Sequence, residues 1–340
     1  MSVALCWFLS DDPRSTYVPI WTEKFTQLEH DAKDIDVLIV GTSRTYNGVN
    51  STVVEKALAN QGVEASVWNL SLHNLSASEQ LRVLRDVLET TSSRPRMVVW
   101  EPALRLGMTL ENATSARSIY FSDWNGFRLS KRYIQGASRG GLHKQYNLLC
   151  NDIYFFINRI NYGRLTDLVY PDRYEYQKSL NPGMVAMLAN KGYWTSELNV
   201  DGVSAKARTT SELEELLRTE EALEAPLLKA NTRLPLEQEK LFDEIDQYIK
   251  AQGSLSLMVV MPKLYIPDPY YRDTEHAFLH TFELKNDIDM VQYLTHHDHR
   301  DLYRIDRWHD TNHLSNAGAE YLSELLAAEI AMRLQSVNPR

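Results

Sequence analysis

Three short apolar segments near the front of the chain most strongly constrain its fold. Residues 36–40, 65–70 and 96–100 each have the length and the β-branched or aromatic content of a buried strand. Stretches of helical length separate them, and one of these opens with Ser76 and Glu79 at capping-box spacing. Strands that alternate with helices in this way form parallel sheets with right-handed crossovers and helices on both faces. The sequence therefore predicts an α/β fold with a doubly wound, flavodoxin-like parallel sheet.

The strand and helix pattern resumes in the last third of the chain. We expect a helix at 236–251, a strand at 255–261, a helix at 281–294, a short strand at 302–305 and a final helix capped by Ser315. No linker-like composition separates these elements from the first three strands. We therefore expect one domain over 34–340, preceded by an N-terminal segment at 1–33.

The middle of the chain, about 105–235, reads as a long irregular insertion. It is rich in Tyr, Asn and Arg, and it ends in an acidic stretch of helix-forming residues that includes Glu212, Glu214, Glu215, Glu220 and Glu221. Insertions of this length usually carry function or cover a site. A structural appendage with a solvated acidic helix fits the composition equally well.

Charge and composition exclude several classes of function. With 36 basic and 45 acidic residues, the chain has a net charge of −9, which argues against nucleic acid as a partner. Cys6 and Cys150 are too few for a disulfide framework or a thiolate zinc site, and the adjacent histidines at 296–299 point in different directions, so we predict no metal and no cofactor. The apolar opening at 3–9 is too short to span a bilayer, and fits either a floppy terminus or the remnant of an anchor.

Two separated motifs carry the chemistry. Ser43 follows the first strand in the turn Gly41-Thr42-Ser43, where parallel sheets place their functional loops. Asp310 and His313 lie three residues apart, directly before the final helix. A serine nucleophile needs a general base, and an imidazole base needs an anion to fix its tautomer. These residues meet both requirements.

The pair GTSR near the start and DTNH near the end resembles the first and last blocks of the SGNH/GDSL hydrolases. More narrowly, GTSRTYNGVN followed by VWNLSLHNLS is similar to the extracytoplasmic SGNH proteins of bacterial exopolysaccharide and cell-wall modification, which include O-acetyl and D-alanyl transfer proteins. The resemblance covers about the first and last hundred residues. It implies Ser43 as nucleophile, His313 as base and Asp310 as the acid that orients the base.

The oxyanion donors are less fully matched. Asn74 stands where the second block of the family has a Gly, and the third block reads Trp100-Glu101-Pro102-Ala103, without the family's Asn. The backbone N–H of Ser43 and the amide or backbone of Asn74 remain as candidate donors. Glu101 could hold Arg44, bind a sugar hydroxyl, or meet solvent at the end of its strand.

The resemblance implies a periplasmic or otherwise extracytoplasmic O-acyl esterase or acyltransferase. Its substrate would be an acylated carbohydrate or another acyl ester. The alternative is a catalytically weak or inactive binding or assembly protein that keeps the fold and works beside a membrane-bound acyltransferase. The distance between Ser43 and His313 separates the two, because an active pair approaches hydrogen-bond reach. A nucleotide-binding domain fits poorly, because no Gly-rich phosphate loop follows the first strand.

Overall fold

A computed structural model describes residues 20–31, 35–90, 94–104, 116–121, 124–136, 141–159, 182–194, 209–228, 233–285 and 287–337. Five strands form one parallel sheet, in the order β2-β1-β3-β4-β5. The strands are β1 (Val37–Val40), β2 (Val67–Asn69), β3 (Met97–Trp100), β4 (Leu255–Val260) and β5 (Met290–Gln292). This is the strand order of flavodoxin-like doubly wound sheets, and it confirms the predicted α/β class with a parallel sheet.

Helices account for most of the other described residues. In the first half they are α1 (Trp21–Asp31), α2 (Ser43–Gly48), α3 (Ser51–Asn60), α4 (Ala77–Thr90), α5 (Ala116–Phe121), α6 (Trp124–Gly136) and α7 (Leu142–Arg159). In the second half they are α8 (Pro182–Ala189), α9 (Thr210–Leu228), α10 (Leu236–Ala251), α11 (Pro269–Glu283) and α12 (Asn316–Ser336). A 3₁₀ turn covers Ile305–Arg307.

Helices cover both faces of the sheet. Because successive side chains of a strand point to opposite faces, neighbouring residues of one strand pack into different cores. Leu38 and Val40 of β1 join a core with α1, α4, α10 and α11, whereas Val37 and Ile39 join a second core with α3 and α12. All four β1 side chains are fully buried. Complete burial of such an aliphatic side chain contributes about 1.5–3 kcal/mol to the stability of the fold. The central strand β1 is therefore a firm support for the turn at residues 41–43 that follows it.

Two elements of the second half differ from the sequence prediction. The helix expected at 281–294 lies earlier, at Pro269–Glu283, because Asp268 caps it by accepting from the Tyr270 N–H and Pro269 fits the first helical position. The chain then forms β5. The strand expected at 302–305 is wrong, since these residues form turns that lead into the 3₁₀ turn.

The described parts of the predicted insertion are helical rather than irregular. Helices α5 to α9 all fall within it, and α6 packs against both α4 and α10. The acidic helix α9 is solvated only on one side. Its Glu220 and Glu224 are buried, whereas the remaining acidic residues named above are exposed.

The described part of the N-terminal segment packs with the domain. Trp21, Phe25 and Leu28 of α1 lie in the same core as the sheet, so the packed unit includes residues 20–31 as well as the region after 34. Residues 1–19, which contain Cys6 and the apolar opening, lie outside the described residues. Within the described ranges, no helix has the length and apolar character needed to cross a membrane.

Candidate active site

The site lies at the carboxyl edge of the sheet. Ser43 is the first residue of α2 and follows β1, Asn74 lies in the loop after β2, and Glu101 follows β3 directly. Strand β1 lies between β2 and β3, at the point where the direction of the chain crossovers reverses. Doubly wound sheets form their ligand crevices at this position.

Ser43, His313 and Asp310 form one hydrogen-bonded chain. The Nε2 atom of His313 lies 2.9 Å from the Oγ of Ser43, and its Nδ1 lies 2.8 Å from the Oδ2 of Asp310. The carboxylate can only accept, so Nδ1 carries the ring proton and Nε2 is left to accept the proton of the Ser43 hydroxyl. The 270 residues that separate Ser43 from His313 in the chain are therefore bridged by one side-chain contact.

The loop that carries Asp310 and His313 is fixed by its own backbone. The Oδ1 of Asp310 accepts from the N–H groups of Asn312 and His313, at 2.7 and 2.9 Å. Burial, the strongest influence, acts to raise the pKa of Asp310, but its hydrogen bonds and the charge of His313 together hold that pKa below its ordinary value. Asp310 thus stays ionised and orients the imidazole.

Glu101 holds the turn that presents Ser43. It is 1% exposed, and it accepts from the Thr42 N–H at 2.7 Å, from the Thr42 hydroxyl and from the Thr45 hydroxyl. The Nη2 of Arg44 lies 2.6 Å from its Oε1. Burial acts to raise the pKa of Glu101, but the Arg44 charge and these hydrogen bonds lower it overall. Of the three roles considered for Glu101, the structure places it against Arg44 and away from solvent.

Gly41 is required at this turn. A Cβ atom on Gly41 would collide with the Thr45 side chain and with the Oε2 of Glu101. Only glycine lets the backbone approach the carboxylate this closely. Gly41, Thr42 and Glu101 therefore act as one packed unit behind Ser43.

Asn74 lines the cavity beside Ser43 and adopts a left-handed backbone conformation, with φ of 53°. Asn is among the non-Gly residues that tolerate this region. Among the described residues, no hydrogen bond engages the Asn74 side chain or the backbone N–H of Ser43. Both groups are free to face a developing oxyanion.

His73 lies in the loop after β2, near enough to His313 for the charge of that ring to act on it. Its ring packs edge-on against Tyr46, with centroids 4.7 Å apart, although part of the side chain stays exposed. Desolvation, followed by the positive charges of His313, Lys24 and Arg117, lowers the pKa of His73 to about 4. The ring is therefore neutral near pH 7 and does not add a positive charge beside His313.

The cavity at Ser43 and His313 has a volume of about 190 Å³. The wall that comes after β4 in the chain contains residues that the sequence did not single out, namely Lys263, Asp268, Tyr271 and Glu275. Lys263 pairs with the Oε1 of Glu275, which lies 3.7 Å from the Nη1 of Arg44. The two cations at this wall are thus balanced by Glu275 and Glu101. The only sequence signal for this wall is its position just after β4.

The run His296-His297-Asp298-His299 lies in the turn after β5. His296 is buried, and its Nδ1 lies 3.3 Å from the Oε2 of Glu224. Across the part of the chain that the structure describes, no group of three or more His, Cys, Asp or Glu side chains is placed to hold a metal ion.

No protein-family model matches this chain, and no curated protein matches it. The functional interpretation of the site therefore depends on its own residues and on their geometry.

Proposed function

We propose that this protein is a serine-dependent esterase or acyltransferase of the SGNH type, acting on O-acylated carbohydrate in bacterial polysaccharide or cell-wall modification outside the cytoplasm. The observation that carries the proposal is the pair of contacts made by His313, 2.9 Å to Ser43 and 2.8 Å to Asp310. These distances are those of a base in contact with its nucleophile and its orienting acid. The resemblance of GTSR and DTNH to the SGNH blocks supports the SGNH type, and the resemblance of GTSRTYNGVN and VWNLSLHNLS to the extracytoplasmic SGNH proteins supports the polysaccharide assignment.

In the first half-reaction, the Oγ of Ser43 attacks the acyl carbonyl carbon while its proton passes to the Nε2 of His313. The carbonyl oxygen gains negative charge and lies against the Ser43 N–H and a donor of Asn74. Asp310, held ionised by its hydrogen bonds, stabilises the imidazolium. Collapse of the tetrahedral intermediate breaks the ester bond, and the departing sugar oxygen takes the proton from His313.

In the second half-reaction, water or a sugar hydroxyl attacks the acyl group on Ser43. His313 now removes the proton of the incoming oxygen and returns it to the Oγ of Ser43 when the acyl-enzyme bond breaks. The product is a free acid when water attacks and a new ester when a hydroxyl attacks. No other reactant is needed in either case.

The size of the cavity favours a short acyl group. At about 190 Å³, it is smaller than the roughly 300–1,000 Å³ typical of sites that enclose a whole drug-sized ligand. An acetyl-sized group fits beside Ser43, and the sugar would lie against the polar side chains of Lys263, Asp268 and Tyr271.

The alternative, a non-catalytic binding or assembly protein, has one observation in its favour. Glu101 replaces the Asn of the third block, and its carboxylate is fully engaged with Thr42, Thr45 and Arg44, so it cannot supply an oxyanion donor. Loss of one donor typically lowers the rate by about 100- to 1,000-fold. The contact between Ser43 and His313 nevertheless favours the enzyme, since a protein without turnover has no need to align these two atoms.

The test is the reaction of the purified protein with p-nitrophenyl acetate, with release of nitrophenol and intact mass both recorded. We expect turnover or an acetyl adduct in the wild type and neither in Ser43→Ala. His313→Ala should behave like Ser43→Ala, because it removes the base.

The matched control is His309→Ala. His309 lies in the same loop and bonds to His313 through its backbone N–H alone, so its ring can be removed without touching the triad. It should retain activity. A folded wild type that forms no adduct and shows no turnover, or a Ser43→Ala variant of full activity, would count against the esterase and favour the binding protein.

A further inference from the structure

Lys24 of α1 is completely buried. Its exposed fraction is 0%, and among the described residues no carboxylate pairs with it. Burial lowers the pKa of Lys24 well below its ordinary value, because an environment without water disfavours the ammonium form. A methionine of similar length would fill the same space without this penalty. What the lysine adds is a set of N–H donors, and its Nζ donates to the backbone oxygens of Asn69 and Ser71, at 2.9 Å each.

Both oxygens lie where the chain enters the loop that carries Asn74. Residues 70–76 connect β2 to α4 and form the β2 loop. From this loop Asn74 lines the cavity beside Ser43, where it is a candidate oxyanion donor. Ser71 is three positions before Asn74, so the hydrogen bonds of Lys24 act close to that donor.

Lys24 also contacts the ring that packs against the residue before Asn74. Its Nζ lies 4.2 Å from the centre of the Tyr46 ring, and Tyr46 is fully buried in α2, the helix that begins at Ser43. The ring of His73 packs edge-on against the same Tyr46 ring, with centroids 4.7 Å apart. Lys24 thus bonds to the start of the β2 loop and contacts the aromatic ring against which His73 packs.

Asn69 joins the β2 loop to the helix of the nucleophile. Its side-chain amide donates to the carbonyl oxygens of Thr45 and Val49, at 3.0 and 2.9 Å, and its Oδ1 accepts from the Ser71 N–H at 3.0 Å. The bond from Lys24 to the Asn69 carbonyl therefore acts on a residue that already fixes α2 and the β2 loop to each other.

The segment after α8 covers the amine. Gly192 has a φ of 86°, and a Cβ atom there would collide with the Asn69 carbonyl oxygen and lie 3.4 Å from the Nζ of Lys24. The carbonyl of the preceding residue, Lys191, accepts from the Asn69 N–H at 3.0 Å. Only glycine permits so close an approach. The cover keeps water from the two Lys24 bonds, and hydrogen bonds are stronger in such surroundings.

We propose that Lys24 is a positioning residue for the oxyanion donor, because its two hydrogen bonds fix the β2 loop, and with it Asn74, relative to Ser43. The inference rests on the proposed esterase or acyltransferase function, since that reaction is what uses Asn74 as a donor. A displacement of about 1 Å in a reacting geometry can cost on the order of 100-fold in rate. Lys24 lies outside the domain predicted at 34–340, so the active site depends on the N-terminal segment as well.

The first test compares wild type and Lys24→Met in the reaction with p-nitrophenyl acetate. The rate at which Ser43 is acetylated at saturating ester should fall by about 10- to 100-fold. The ester concentration that gives half of the maximal rate should stay within about threefold, because the oxyanion donor acts on the transition state rather than on the bound ester. Lys24→Gln, which keeps an N–H donor group on a shorter side chain, should recover part of the lost rate.

The matched control is Ile249→Ala. Ile249 is fully buried near the end of α10, which leads into β4 and so lies at the edge of the sheet opposite the site. Its truncation should lower the melting temperature, as a core cavity does, and leave the acetylation rate within about threefold. Lys24→Met should also lower the melting temperature, because two buried carbonyl groups lose a donor. A merely structural role for Lys24 predicts the pattern of Ile249→Ala.

The second test needs no catalytic activity. Amide hydrogen exchange, followed by mass spectrometry well below the melting temperature, should be about tenfold faster or more in peptides that cover the β2 loop of Lys24→Met. Peptides that cover β3 should exchange as in the wild type. In Ile249→Ala the β2 loop should exchange at the wild-type rate.

Different results overturn the positioning role and the proposed function. An active wild type whose Lys24→Met variant keeps its acetylation rate, or loses only ester affinity, overturns the positioning role, as does unchanged exchange in the β2 loop. A wild type with neither adduct nor turnover overturns the esterase, and the exchange measurement then decides whether Lys24 holds the loop. Should Lys24→Met not fold, Lys24→Gln is compared with the wild type in both tests, with a smaller change expected in the same direction.

Discussion

Replacing Glu101 by Gln tests whether the turn behind Ser43 is held by a buried charge. The substitution keeps the shape of the side chain but leaves Arg44 without its partner at 2.6 Å. Among the described residues, the carboxylate that Arg44 then retains is that of Glu275, at 3.7 Å. Removal of one partner of a buried ion pair costs about 3–5 kcal/mol, and the hydrogen bonds that Gln can still accept reduce that to an expected 2–4 kcal/mol.

The matched control is Glu244→Gln, since Glu244 pairs with Arg132 at 2.7 Å and Arg132 also retains a second carboxylate, that of Glu237 at 3.8 Å. The two ion pairs differ in burial, since the side chain of Glu244 is 43% exposed and that of Glu101 is 1% exposed. A surface pair is worth about 0–1 kcal/mol. The assay is urea unfolding followed by tryptophan fluorescence and circular dichroism, with the midpoints compared at equal slope.

The pH dependence gives a second readout. The pKa of Glu101 in the folded protein lies below its ordinary value of 4.5, so its stabilising effect is fully present above that value and is lost as the pH falls through the folded pKa. The stability difference between wild type and Glu101→Gln should therefore shrink below about pH 4.5. A loss no larger than that of Glu244→Gln at pH 7, or a difference that does not change on acidification, would refute this account of the turn.

Two further substitutions test the oxyanion donor and the acidic helix. Asn74→Gly should stabilise the protein by up to about 1 kcal/mol, because glycine adopts the left-handed conformation at Asn74 without strain. If the backbone N–H of residue 74 is the oxyanion donor, kcat/KM for p-nitrophenyl acetate should stay within about threefold of the wild-type value. A loss of about 100-fold or more would assign the donor to the side-chain amide of Asn74. Glu220→Gln should lower the free energy of unfolding in urea by about 3 kcal/mol, because Glu220 binds Arg272 through two contacts of 2.8 Å in a buried position. Glu221→Gln, at the exposed neighbouring residue, should lower it by less than about 0.5 kcal/mol. Equal decreases in the two variants would mean that the contact with Arg272 does not stabilise α9.

Local sequence signals determined much of the fold. The apolar content of β1, β2 and β3 requires burial on both faces, and alternation with helices requires a parallel sheet. Ser76 and Glu79 form the expected reciprocal cap at the start of α4, and Ser315 accepts from the Gly318 N–H at the start of α12. The physics of a strand or a helix cap acts over a few residues, so the sequence alone specifies it.

The loop with Asp310 and His313 was also readable from the sequence. The two residues are three positions apart, and a tight turn brings side chains at this spacing together whatever the rest of the chain does. Ser43 was placed by the rule that functional loops follow the carboxyl ends of parallel strands. Only the folded structure, however, gives the 2.9 Å between Ser43 and His313.

Pairings between distant segments could not be predicted from the sequence. Glu220 and Glu224 lie in an acidic run that looks solvated, and they are buried only because α11 and the 296–299 loop bring Arg272 and His296 against them. The start of α11 was misplaced because the apolar pattern alone cannot show which residue caps a helix.

The same limit applies to the wall of the site. Whether Glu101 would meet solvent, a sugar or Arg44 was open in the sequence, because a carboxylate at a strand end has the same local pattern in each case. The tertiary structure decided it by closing Thr42, Thr45 and Arg44 around that carboxylate. It also brings Glu275, the partner of Lys263, to 3.7 Å from Arg44. Burying a charge is costly unless a partner is present, and the partner comes from a part of the chain that only folding brings near.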